Sequence, residues 1–165
     1  MLLPTTPISN RGFSLIEVLI ALIVLAIGLL GLASLQMTSL QFTGDAYLRS
    51  QATVLAYEIT DKMRSNIGAV NAGSYDVLDY TAANNAVSTY NACKTGSCKC
   101  EGSACTTANL VIYDLGTWYE RLDRELPGST AKRATIEGLG NREFRITIRW
   151  NERDLNREQQ WVVKL

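Results

Sequence analysis

The chain contains no histidine among its 165 residues. A Ser/His/Asp or Cys/His nucleophilic centre needs an imidazole, and so does a zinc site with histidine ligands. No glycine-rich segment matches a nucleotide-binding fingerprint either. Carboxylate pairs such as Asp76 with Asp79, or Glu152 with Asp154, are expected to be solvated surface groups. We therefore predict that the protein is not an enzyme and that it uses no cofactor.

An excess of either charge sign is also missing, because 16 basic residues balance 16 acidic ones and the formal net charge at pH 7 is zero. Binding to nucleic acid depends largely on clustered lysine and arginine side chains that neutralise phosphates. Neither half of the chain gathers such a cluster. No nucleic acid is predicted as a direct partner.

Proline is scarce, with three residues in the whole chain. None lies between Pro7 and Pro127, so the backbone chemistry allows a long helix in this interval. An apolar run from Gly12 to Ala33 opens it, and a one-sided apolar stripe follows at helical spacing. The stripe consists of Leu48, Ala52, Leu55, Ile59 and Met63. We predict one helix from about Ser14 to about Ser65, roughly 75 Å long.

The apolar run carries a single charge, Glu17. As a helix, Leu15 to Ala33 would span about 29 Å, which is close to the hydrocarbon thickness of a bilayer. A carboxylate within such a span costs on the order of 3 kcal/mol at the bilayer centre and is a functional candidate. Two interpretations follow for Glu17. It either reaches the membrane interface from the end of the span, or it is compensated by a cation inside an assembly.

Residues 1–12 precede the apolar run and resemble a leader without stable structure of its own. A conventional secretory signal would end at a small-x-small site, and Gly31-Leu32-Ala33 could serve, but the apolar run before it is too long. Arg11 flanks the span on one side, and the next basic residue on the other side is Arg49. The positive-inside rule favours a cytoplasmic N-terminus, with the rest of the chain outside.

All four cysteines fall in one short segment with the pattern C-x4-C-x-C-x4-C. Outside the cytoplasm, disulfides are the expected state. A bond between Cys98 and Cys100 is sterically poor. Two pairings stay open: Cys93–Cys98 with Cys100–Cys105, or Cys93–Cys100 with Cys98–Cys105. A four-thiolate zinc site is the alternative, although the inner spacing is tighter than is usual for zinc.

The rest of the chain predicts a small α+β domain. Residues 67–106 show no sustained period, so we predict a long irregular loop there. A helix should run from Thr107 to the terminator Leu126-Pro127-Gly128, although Leu110 to Tyr113 is also compatible with a short strand. Strands are predicted at 135–137, at 143–150 and over the last eight residues, with a turn at 138–141. The striped half of the long helix should cover the apolar face of this antiparallel sheet.

The motif Gly12-Phe13-Ser14-Leu15-Ile16-Glu17-Val18, followed by the apolar run, resembles the type III signal of type IV prepilins and type II secretion pseudopilins. The resemblance implies that a membrane aspartyl peptidase cuts between Gly12 and Phe13 and that the new N-terminus of Phe13 is methylated. It also implies that Glu17 pairs with the N-terminal amine of a neighbouring subunit. Three later motifs further resemble PilV-type minor pilins, the type IV pilus modification proteins: Asp61 to Asn66, Asp114-Leu115 to Trp118 with Leu126-Pro127, and Ile148-Arg149-Trp150-Asn151.

The resemblance implies a pilin-like fold in four segments. These are a leader at 1–12, a transmembrane and filament-core helix at 13–33, its amphipathic continuation at 34–66, and an extracytoplasmic domain at 67–165. Such a chain would sit in the bacterial inner membrane as a single-pass protein with a cytoplasmic N-terminus and a periplasmic domain. It would later move to the pilus and the cell surface.

The implied function is that of a non-catalytic minor pilin that primes or modifies type IV pilus assembly, with roles in pilus (fimbrium) biogenesis, twitching motility and cell adhesion. Implied partners are other minor pilins, the major pilin, the prepilin peptidase, inner-membrane lipid before assembly and the pilus assembly platform. Two alternatives stay open. One is a minor pseudopilin of a type II protein secretion system, and the other is a single-pass anchored module that binds a ligand or metal.

Overall fold

A computed structural model describes residues 12–96, 98, 100, 105–128, 134–152 and 155–165. The predicted leader therefore lies outside the described residues, apart from Gly12. The chain divides after Gly44 into two compact units, residues 1–44 and residues 45–165.

The first helix, α1, runs from Leu15 to Ser65, which confirms the predicted long helix. It starts where predicted because the Ser14 carbonyl accepts hydrogen bonds from the backbone N–H groups of Glu17 and Val18, at 3.0 and 3.3 Å. Every described residue of the first unit is exposed. α1 is long and apolar enough to cross a membrane.

In the second unit, the last turns of α1 bury one face in the hydrophobic core. The predicted stripe is confirmed: Leu48 is partly buried, and Ala52, Leu55, Ile59 and Met63 are buried. Thr60 is also buried. Its hydroxyl donates to the Ala56 carbonyl at 2.7 Å, so the buried polar group has a partner within the helix.

The predicted irregular loop over residues 67–106 is wrong for much of its length, because two helices lie there. α2 spans Ile67–Asn71 and α3 spans Tyr80–Cys93. The Asp79 carboxylate caps α3 by accepting from the Ala82 N–H at 2.8 Å. The covered positions of α3 do recur at helical spacing, but most are alanines, which contrast weakly with their neighbours: Ala82, Ala83, Ala86, Val87 and Tyr90.

The helix predicted from Thr107 is confirmed as α4, Thr107–Glu125, and the alternative strand at Leu110 to Tyr113 is wrong. α4 packs closely on α3 at one glycine. A Cβ on Gly116 would lie 2.0 Å from Cγ of Tyr90, so no larger residue fits without displacing the ring. Glycine is therefore required at this helix contact.

The sheet has three antiparallel strands in the order β1-β2-β3. They are β1 at Ala134–Gly140, β2 at Glu143–Glu152 and β3 at Leu155–Lys164. The predicted turn at 138–141 is displaced, since β1 continues to Gly140 and the turn residues are Asn141 and Arg142. Both have positive φ, 53° and 60°, as a two-residue type I′ turn requires.

The predicted cover of the sheet is confirmed, because one face of β2 lies in the same core as α1. The inward side chains are Phe144, Ile146, Ile148 and Trp150. On the outer edge of β1, Val77 and Ile136 exchange two backbone hydrogen bonds of 2.8 Å. Among the described strands, β3 is left at the other edge of the sheet. The architecture is a pilin-like α+β fold, as predicted.

Candidate functional site

The candidate site is the start of α1, where the predicted processing residues lie. Gly12 and Phe13 precede the first helical turn, and the Phe13 side chain is 84% exposed. A peptide bond just outside a helix has no helical hydrogen bonds to lose when an enzyme straightens it. The Gly12–Phe13 bond therefore lies outside the hydrogen-bonded turns of α1.

Glu17 lies in the first turn of α1, four residues after Phe13. The N-terminal end of a helix carries a partial positive charge that favours a carboxylate there. Glu17 is the single charged residue between positions 12 and 44. No lysine or arginine of this stretch can therefore compensate Glu17.

A shallow apolar hollow of about 450 Å³ surrounds the Glu17 side chain. Its remaining walls are apolar, so Glu17 is the one charged group that lines it. The walls are formed by Phe13, Val18, Ala21, Leu22 and Leu25. An apolar surface with one carboxylate fits a partner that is itself apolar and carries one cation.

The apolar surface of the first unit extends well beyond this hollow. Its large side chains are mostly half or more exposed, for example 71% at Leu30 and 68% at Leu35. Monomeric soluble proteins rarely expose so continuous an apolar surface, because leaving it in water is unfavourable. The segment needs a lipid environment or other apolar helices around it.

In the second unit, a polar network fixes α4 against α1. The Tyr75 hydroxyl donates to Asp114 Oδ2 at 2.6 Å, and Lys62 Nζ donates to Thr117 Oγ1 at 2.8 Å and pairs with Glu58 at 3.2 Å. Burial raises the pKa of the Asp114 carboxyl; the Tyr75 hydrogen bond and the Lys62 charge oppose this increase. Burial likewise raises the pKa of Tyr75. The network therefore links α1, α4 and the segment that carries Tyr75.

The cysteines form two disulfides, Cys93–Cys98 and Cys100–Cys105, which is one of the two pairings left open above. Cys93 is the last residue of α3, and Cys105 directly precedes Thr106, the N-cap of α4. The two bonds therefore constrain the connection between these helices. Within the described part of the chain, no group of three or more potential ligands is placed to hold a metal.

Most of the tyrosines in residues 67–106 hold this segment against the domain and do not form an exposed contact surface. Tyr75 and Tyr90 are buried, while Tyr80 is 46% exposed.

Sequence reasoning missed the pairing of Tyr75 with Asp114, since the two residues are far apart in the chain. It also expected Glu152 at the solvated surface. That expectation is wrong, because Glu152 is 5% exposed and accepts from Arg157.

An exposed apolar helix that begins at a processing-type motif and carries a small α+β domain defines a pilin-like class of membrane-anchored proteins. Two family models match the chain. The prokaryotic N-terminal methylation motif matches residues 8–33, and the type IV pilin Tt1218 model matches residues 34–116. The chain belongs to the type IV pilin Tt1218 family. Comparison with curated proteins gave no match, and neither did comparison with solved structures.

Proposed function

We propose that this chain is a minor pilin, a non-catalytic subunit that primes or modifies assembly of a type IV pilus. The carrying observation is the surface of residues 12–44, which is exposed throughout, largely apolar and carries one charged group, the Glu17 carboxylate. Such a surface is stable in lipid before assembly and among like helices after it. The methylation motif over residues 8–33 supports the same role.

The proposed processing step is cleavage between Gly12 and Phe13 by a prepilin peptidase, followed by methylation of the Phe13 amine. Cleavage creates a positive charge at the start of a segment that contains no lysine or arginine. A carboxylate buried among apolar helices is tolerated when a cation compensates it. We propose that Glu17 pairs with the N-terminal amine of a neighbouring subunit and thereby sets the register of α1 in the fibre.

The proposed organisation follows from this role. Residues 1–12 are the leader, 13–33 the transmembrane and filament-core segment, 34–66 its continuation and 67–165 the extracytoplasmic domain. Before assembly the chain spans the inner membrane with its N-terminus in the cytoplasm. Afterwards it joins other minor pilins and the major pilin through the assembly platform and contributes, in the manner of PilV-type minor pilins, to twitching motility and adhesion.

The test begins with Glu17→Ala and Glu17→Gln, each compared with the unsubstituted chain. Both variants should yield a mature chain that starts at methylated Phe13, since cleavage occurs upstream of the substitution. Both should be depleted severalfold from sheared pili, because the carboxylate that pairs with the amine is gone. Mass spectrometry of the N-terminus and quantitative immunoblots of pili give the two readouts. Normal incorporation of both variants would contradict the pairing.

Deletion of the gene separates the pilus from a type II secretion system, which would use the same motif and helix. Loss of surface fibres and of twitching is expected. Intact fibres with secreted proteins trapped in the periplasm would instead identify a minor pseudopilin. An uncut N-terminus would exclude both filament roles and leave an anchored binding module.

A further inference from the structure

The two edges of the sheet differ in whether their outward backbone groups are hydrogen-bonded. On the β1 edge, Ile136 exchanges two hydrogen bonds of 2.8 Å with Val77. The next outward residue, Gly138, donates its N–H to the Asp76 carboxylate, and a bulge follows between Gly138 and Gly140. Covered backbone groups and bulges protect a sheet edge against pairing with another strand. The β1 edge is therefore closed from Ile136 to Gly140.

The β3 edge shows neither feature among the described residues. The Leu165 N–H donates to the Arg142 carbonyl at 3.0 Å, and the register of β2 with β3 is continuous. The odd-numbered residues of β3 therefore direct their backbone groups to β2, and the even-numbered residues direct theirs away from the sheet. No backbone hydrogen bond joins these outward groups to another described residue. The outward residues are Asn156, Glu158, Gln160, Val162 and Lys164.

The solvent-facing side chains of β2 and β3 carry charges of opposite sign in the same row. At one end, Glu143 lies opposite Lys164 and pairs with it at 3.5 Å. Toward the other end, Arg149 lies opposite Glu158 and pairs with it. Cross-strand pairs of opposite charge stabilise a sheet, whereas like charges destabilise it. A further strand that continues this alternation therefore places an acid beside Lys164 and a base beside Glu158.

Two exposed side chains lie between these charges on the β3 edge. Val162 is 63% exposed and favours an apolar neighbour, while Gln160 favours a polar one. Antiparallel order matches the rest of the sheet and is slightly more stable per residue than parallel order. An antiparallel partner strand therefore has an acid, an apolar, a polar and a basic residue at every second position, in that order from its N-terminus.

We propose that the β3 edge binds an extended strand of this pattern from a different subunit of the fibre, which rests on the proposed function. A second copy of the chain fits poorly. Because the β1 edge is closed, two copies join only through both β3 edges, about a two-fold axis perpendicular to the sheet. Since α1 packs on the face of the sheet, this rotation reverses the direction of α1. Chains anchored in one membrane share one direction.

Hydrogen exchange of the full chain in detergent micelles tests the pairing one amide at a time. The probe is a nine-residue polythreonine peptide with glutamate second, valine fourth and lysine eighth, which matches the pattern. Without peptide, the amides of Glu158, Gln160 and Val162 should exchange faster than the odd-numbered amides between them, which bond to β2. With peptide at about ten times its Kd, these three outward amides should slow about tenfold. Outward amides that stay fast at the highest soluble peptide concentration would overturn the proposal.

A second peptide and two variants of one residue provide the controls. The peptide with its glutamate and lysine exchanged should bind severalfold more weakly, and equal binding would contradict the assigned direction and register. Gln160→Pro removes an outward N–H, and edge strands tolerate proline at such positions. It should weaken peptide binding at least tenfold, whereas Gln160→Thr keeps the N–H and should not. Protection of the odd-numbered amides checks that the ladder with β2 is intact.

The origin of the strand is tested by counting subunits in sheared pili. Gln160→Pro should reduce incorporation severalfold relative to Gln160→Thr, and equal incorporation would overturn the assignment of the strand to a fibre subunit. Outward amides that are protected without peptide, and released on dilution, would assign the edge to a second copy instead. The mature N-terminus and the Glu17→Ala variant test the pilin role independently of β3, so failure of one proposal is distinguishable from failure of the other.

Discussion

The two units of the chain differ most in what surrounds their apolar side chains. Between residues 12 and 44 every described side chain is exposed, whereas the second unit encloses a core built from α1, α4 and the sheet. The same helix, α1, contributes to both. The second unit buries its apolar surface within one chain, and the first can bury its apolar surface only against lipid or other subunits. Stability measurements on one chain therefore report on the second unit, and assembly measurements report on the first.

The largest effect on stability should come from truncating a buried side chain in the core of the second unit. Ile146 is fully buried on β2, and Ile146→Ala should lower the free energy of unfolding by about 3 kcal/mol through lost burial and a cavity. Ile23→Ala removes the same atoms from a side chain that is 59% exposed in α1 and should leave that free energy unchanged. All three tryptophans, Trp118, Trp150 and Trp161, lie in the second unit, so their fluorescence during chemical denaturation in detergent measures it selectively.

An equal loss in both isoleucine variants would show that the two units unfold together. It would contradict the division after Gly44. An unchanged stability in Ile146→Ala would contradict the core itself.

A smaller effect, of opposite sign in the two units, is expected for glycine substitutions in helices. Gly116→Ala places a Cβ 2.0 Å from Cγ of Tyr90 and should destabilise the second unit by about 2 kcal/mol, despite the higher helix propensity of alanine. In Gly31→Ala the added Cβ has no atom within 4 Å, so the only expected effect is a higher helix propensity of α1. Thermal unfolding followed by tryptophan fluorescence checks the first variant. Helix content by circular dichroism checks the second.

A Gly116→Ala chain as stable as the original would mean that α3 does not pack on α4 at this point. α3 is one of the two helices that were not predicted from the sequence, so this variant also tests that correction. The double variant Tyr90→Ala with Gly116→Ala should lose less stability than the sum of the two single losses, because the colliding ring is gone.

The contrast between the units also explains which features were predictable from sequence. α1 and β2 were predictable from the sequence because large apolar side chains repeat at helical spacing in α1 and alternate in β2. The processing motif was recognisable in the sequence because Gly12, Phe13 and Glu17 lie close together in the chain. α3 was missed because its buried face is mostly alanine. The disulfide pairing stayed open because both alternatives close short loops, and the closure of the β1 edge by Val77 arises only after folding brings distant residues together.

The smallest expected effect is a pH dependence confined to the second unit. Burial raises the pKa of Asp114 in the folded chain above its ordinary unfolded value, so the folded state binds more protons in the interval between the two values. The contribution of Asp114 is therefore greatest below the unfolded pKa and is lost as pH rises through the folded pKa. Asp114→Asn keeps an acceptor for Tyr75 and removes the titration, so its unfolding free energy should fall less than that of the original chain as pH rises through this interval. Identical slopes in parallel denaturation series would show that Lys62 and Tyr75 fully compensate the buried carboxylate.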